Sequence, residues 1–93
     1  MNRVEFEAEL HREGYAEIVD RRMEPGTVNP EHEHEFDARL LVLEGEMAVA
    51  RDGAEQVYRA GDTFAMTAGC RHTERGGPAG ARYLAGRRYK AAQ

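Results

Sequence analysis

The sequence predicts an all-β fold, a barrel or sandwich of short strands behind one short N-terminal α-helix. Three observations predict it. Apolar segments of strand length recur between turns rich in Gly, Pro and Asp. Asp52-Gly53 between Glu46–Arg51 and Ala54–Arg59 is a two-residue hairpin signal, because both central positions tolerate positive φ. The run Leu40–Leu43 is apolar at every position, as in a strand buried on both faces.

Taken in order, residues 3–12 place Val4, Phe6 and Leu10 near one helical stripe, and Gly14 follows as a left-handed stop. This helix is expected to pack its stripe on the outside of the sheet, leaving His11 solvated. Tyr15–Met23 reads as a strand closed by the turn Glu24-Pro25-Gly26. A regular strand beginning at Glu31 would put His32, His34, Phe36 and Ala38 on the inner face and Glu31, Glu33, Glu35 and Asp37 on the outer one. Gly45 is expected to open a turn. Thr63–Thr67 alternates, with Phe64 and Met66 on one face, and His72 stands at a strand start or loop end. Arg75–Gly80 reads as a loop by composition, Ala81–Tyr89 as the last strand, and Lys90–Gln93 as a loose tail.

Ninety-three residues make one small domain. It buries roughly 60–65% of its unfolded surface, so a second subunit would help it. Thirteen basic against seventeen acidic residues give a net charge of −4, which argues against nucleic acid as a partner. No apolar stretch approaches the ~20 residues that cross a bilayer, and MNRVEFEAEL is too acidic for a secretory signal. With Cys70 as the single cysteine, an intramolecular disulfide is excluded and a reducing, cytoplasmic setting is expected.

The chemistry concentrates between Gly26 and Gly45. His32 and His34 sit one residue apart, so an extended backbone projects both imidazoles to one side. A sheet that curls back brings His72 to the same point. The spacing Gly26, His32, His34, Gly45, followed by Gly61, Gly69, His72, resembles the two motifs of the cupin superfamily, with Thr67 where its second motif has proline. The resemblance covers residues 26 to about 76. It implies a jelly-roll barrel (double-stranded β-helix) of the small single-domain kind, spanning 1–93 with the helix in 1–13 and the barrel in 15–90, often dimeric. One departure matters: the family's glutamate falls on Ala38, or on Arg39 with the longer spacing, so the usual carboxylate ligand is absent.

Three imidazoles form a tripod for one divalent transition metal, zinc or nickel first and iron or manganese next, since imidazole suits several of these ions. The bland alternative is that HEHEFD is an exposed acidic loop. Glu74, two residues past His72, shares its face if the strand has begun, which makes it a candidate fourth ligand or proton shuttle; pairing with a surface arginine competes. Asp37 points outward. Cys70 reads as a small buried hydrophobe. Phe36, Ala38, Met47, Phe64 and Met66 have inward parity, so they line a pocket beside the metal or simply fill the barrel. Leu41 and Leu43, with Tyr83 and Tyr89, form a seat for the helix or a subunit interface. Arg87-Arg88 is a solvated edge, unless an arginine aimed inward clamps an anionic substrate. Three functions compete: a metalloenzyme of dioxygenase, isomerase or decarboxylase type acting on a small molecule, a non-catalytic ligand-binding or sensory module, and a barrel that has lost its metal.

Overall fold

The computed structural model describes residues 1–89, so the expected loose tail lies outside the described residues. The chain opens with α1 (Arg3–Arg12). Asn2 caps it: its side-chain oxygen accepts from the Glu5 amide at 2.9 Å, and its side-chain amide donates to the Glu5 carboxylate at 3.1 Å. A Schellman arrangement ends the helix. Gly14, at φ +82°, lets its own N–H reach the His11 carbonyl and the Tyr15 N–H reach Leu10.

Of the expected stripe, Phe6 and Leu10 are fully buried, whereas Val4 is 77% exposed. Two residues four apart are enough to hold the helix. They pack with Tyr15, Leu41 and Leu84, with Ile18 and Leu43 at the margin. Here the sequence expectation needs correcting, because Leu84 and not Tyr83 or Tyr89 completes the helix seat. Alternation sends Tyr83 to the opposite face, against the inner core, and Tyr89 to Phe36, 5.3 Å between ring centroids. Gly86 lies directly under the helix, where a Cβ would come within 2.7 Å of Leu10. Leu10→Ala should therefore cost about 2–5 kcal/mol, measured by urea unfolding. A loss under ~1 kcal/mol would show that the helix is not anchored there.

Among the described residues six strands follow, β1 (Glu17–Met23), β2 (Val28–His32), β3 (Phe36–Arg51), β4 (Ala54–Arg59), β5 (Thr63–Met66) and β6 (His72–Tyr89), and every pairing is antiparallel. The long β3 and β6 form the spine of a jelly-roll barrel. The first half of β3 pairs with β5 and the end of β6; its second half pairs with β4 and the start of β6. The inner faces enclose Met23, Leu40, Val42, Met47, Val49, Phe64 and Met66. Leu41 and Leu43 face the helix, so Leu40–Leu43 is buried on both sides as its composition requires. The β3–β4 hairpin turns on Asp52 and Gly53, at φ +52° and +77°.

Two boundary expectations are overturned by the same physics. Gly45 does not open a turn, and Arg75–Gly80 is not a loop; both lie inside continuous strands. Between the pairs Met47↔Gly76 and Gly45↔Ala81, residues 77–80 face Glu46 alone, a bulge that bends the barrel wall. Glycine and proline serve such bends as readily as they serve loops. The strand expected from Glu31 is also interrupted. β2 starts earlier, at Val28, and ends at His32, with its register against β6 shifting across Pro30, which has no N–H to give to the ladder. No described helix is long and apolar enough to cross a membrane.

Candidate metal centre

His32 ends β2, His34 lies in the connector, and His72 begins β6 as the Cα partner of His32. The connector is tied down where it matters, because the His34 carbonyl accepts from the Gly69 amide at 2.9 Å. The three rings converge, with centroids 4.3 Å apart for His32 and His72, 4.8 Å for His32 and His34, and 5.4 Å for His34 and His72. One nitrogen from each lies within 4.8 Å of the other two, close enough to hold a metal ion.

Backbone carbonyls orient two of these rings. His32 Nδ1 is 2.8 Å from the Pro30 carbonyl, and His72 Nδ1 is 3.0 Å from that of Cys70. A carbonyl only accepts, so in each case Nδ1 carries the proton and donates it, leaving the Nε2 lone pair free. Such partners fix the tautomer of a metal-binding histidine. His72 is 2% exposed, and its Nε2 is a buried polar atom with no hydrogen-bond partner among the described residues. A buried lone pair of this kind normally has a partner, and a metal ion is one that fits. Burial, reinforced by the neighbouring His32 and His72, holds His34 below the usual histidine range, which favours the neutral form that ligates.

Glu74 shares the face of His72, since β6 begins at His72, and it too is buried. Its two oxygens stand 3.7 Å from His32 Nε2 and 3.7 Å from His72 Nε2, and the Asn29 amide donates to Oε1 at 3.0 Å. Burial and, after it, the Glu74 charge push the Tyr83 hydroxyl up. Among the described residues Glu74 pairs with no arginine: Arg71 engages Glu31 and Glu33, and Arg75 engages Glu55.

A cavity of about 190 Å³ opens beside the tripod, lined by Asn29, His32, His34, Glu74 and Tyr83 with the apolar Phe36, Ala38, Leu40, Met66 and Ala85. Met47 and Phe64 do not reach it. Met47 is fully buried in the core, and Phe64 stacks on Tyr58 at 4.2 Å. Inward parity is shared along the whole barrel, but only the end near the histidines is open. Asp37 points away, accepting from the Ala68 amide at 2.8 Å and pairing with Arg88 at 3.2 Å. Cys70 is half-buried against the core, and its contribution to the tripod is the carbonyl that orients His72. His11 is exposed in the last turn of α1. Asn29, and Tyr83 as a cavity residue, escaped the sequence reading, because the place of Asn29 follows from the β2–β6 register and that of Tyr83 from the pairing of β6 with β1 and β3. Wider clefts near Gly45 and Ala79, about 230 and 430 Å³, hold no metal-ligating cluster among the described residues, and Arg82 and Arg59 there already pair with Asp20, Glu44 and Glu46.

Solved structures share this architecture. A Rhizobium leguminosarum bv. viciae protein of unknown function is 26% identical, with a TM-score of 0.74 over 78% of this chain and 69% of its own. A cupin superfamily protein from Desulfitobacterium hafniense is 16% identical, with a TM-score of 0.69 over 81% of this chain and 80% of its own. The cupin domain of Drosophila melanogaster CENP-C is 21% identical, with a TM-score of 0.68 over 78% of this chain and 61% of its own. At these last two identities the likeness is one of fold alone. Among curated proteins, none matches the chain. The cupin domain family matches residues 19–83, spanning both histidine motifs and most of the barrel, and the chain belongs to that family.

Proposed function

We propose that His32, His34 and His72 ligate one divalent transition-metal ion, with Glu74 as a fourth ligand, at the inner end of a small-molecule cavity. The observation that carries this reading is the buried, unpartnered Nε2 of His72, aimed at the same place as the free Nε2 of His32. Imidazole and carboxylate suit zinc or nickel first and iron or manganese next. An ion there would supply Lewis acidity to a bound molecule. The chain's own residues do the rest. Pro30 and Cys70 hold two ligands in register, Asn29 holds the Glu74 carboxylate, and Phe36, Met66 and Tyr83 shield the ligand from water. The single domain, the cytoplasmic setting and the homodimer expected from the sequence belong to this reading as proposals.

Elemental analysis of untagged protein tests it. Near one equivalent of metal is expected, removable by chelator and restored by zinc. No metal after zinc is supplied would overturn it and leave a small ligand-binding barrel. Glu74→Gln separates the fourth ligand from the tripod: metal affinity should fall by about 10-fold or more. Unchanged affinity would remove Glu74 from the ligand set.

Metalloenzyme activity is the second reading, favoured by the cavity that meets the tripod. Sites that keep a position open to water or substrate are the ones that catalyse. Its test is turnover by zinc-, nickel- or iron-loaded protein on small chelating substrates such as diketones, thiols and hydroxy or keto acids. Binding without turnover would favour the sensory alternative.

A further inference from the structure

Resting on the metal reading above, we propose that the cavity takes a small carboxylate-bearing ligand and that Arg87 and Arg21 form its anion clamp. Alternation along β6 puts Arg87 on the same side as Tyr83 and Ala85, which line the cavity. Arg87 is the Cα partner of Ala38, another wall residue, so the side chain facing it from β3 is only a methyl group. Its guanidinium lies 4.8 Å from the centroid of the Phe36 ring, which steadies the arginine at the edge of the wall.

Glu17 pairs with Arg87 Nη1 at 3.2 Å. A guanidinium carries five N–H donors, so this pairing leaves donors for a second carboxylate. Arg21 approaches from β1, where it is the Cα partner of Tyr83 and falls between Val19 and Met23, both packed on the inner core. It is exposed and makes no ion pair among the described residues. With a dication in the tripod, the field at this end of the barrel favours an anion despite the chain's net charge of −4. A 2-oxo or 2-hydroxy acid has the matching chemistry, its 2-oxygen and one carboxylate oxygen to chelate the ion and the other carboxylate oxygen to accept from a guanidinium.

The test is calorimetric titration of zinc-loaded protein with pyruvate and with its uncharged methyl ester, zinc content being measured on the same samples. Wild type should prefer pyruvate at least tenfold. Arg87→Gln should weaken pyruvate by about 10- to 100-fold with zinc content unchanged, Arg21→Gln should weaken it less, and neither should alter the ester. Wild type that holds zinc yet shows no preference for pyruvate, or a preference that survives both substitutions, would overturn the clamp and leave the metal centre standing. Wild type that holds no zinc would overturn the metal reading itself. Circular dichroism checks that Arg87→Gln is folded, and Arg21→Gln, on an exposed side chain, provides the second variant.

Discussion

His72→Ala should weaken metal binding by about 100-fold or more, and the zinc-induced rise in thermal stability should vanish with it. Loss of a group that merely orients a ligand costs about 10- to 100-fold in affinity, and loss of the ligand itself costs at least that. The burial of His72 makes it the best probe of the tripod, because its Nε2 is withdrawn from water. Wild type at a free zinc concentration of about 100 times Kd gains about 2.7 kcal/mol of stability by mass action, which a thermal melt detects readily. Without metal the comparison reverses in interest, because the alanine variant no longer buries an unpartnered nitrogen and its unfolding need not suffer much. A variant that melts like metal-free wild type and ignores zinc is the expected result. Equal zinc stabilisation of both proteins would place the ion elsewhere.

Gly45→Ala should be the most damaging glycine substitution in the barrel, at about 2–5 kcal/mol, a large share of a small domain's stability. Gly45 sits at φ +69°, where any L side chain costs about 1–2 kcal/mol. Its added Cβ would also land on the Gly80 carbonyl, with Ala81 Cα 3.2 Å away, in the bulge that bends β3 against β6. Backbone cannot swing aside as a side chain can, so overpacking adds about 1–3 kcal/mol. Gly53→Ala is the matched control, with φ +77° and nothing within 4 Å of the new Cβ. Denaturant midpoints of the two variants decide the matter, and a Gly45→Ala variant as mild as Gly53→Ala would show that the bend tolerates a wider spacing.

The legible part of this protein is periodic. Alternation told His32, His34, Phe36 and Ala38 from Glu31, Glu33, Glu35 and Asp37, and the histidines met even though the strand between them is broken. Their directions survive because the connector is short and the Gly69 amide holds His34. Less legible was the difference between a turn and a bulge. Gly45 and the stretch Gly76–Gly80 carry loop composition, yet strand partners on either side draw them into the sheet. Parity also failed to separate wall from filling, since Met47 and Met66 both face inward and only one meets the cavity.

By itself the sequence determined the all-β class, the capped helix, the Asp52-Gly53 hairpin and the three histidines, because each rests on residues close together or on a repeating spacing. Tertiary structure alone decided that Asn29 reaches Glu74 and that Arg87 stands opposite Ala38. Those relations depend on which strands pair and in what register. A one-residue slip would turn every one of those side chains to the other face, and it is the packing of the whole barrel that forbids the slip.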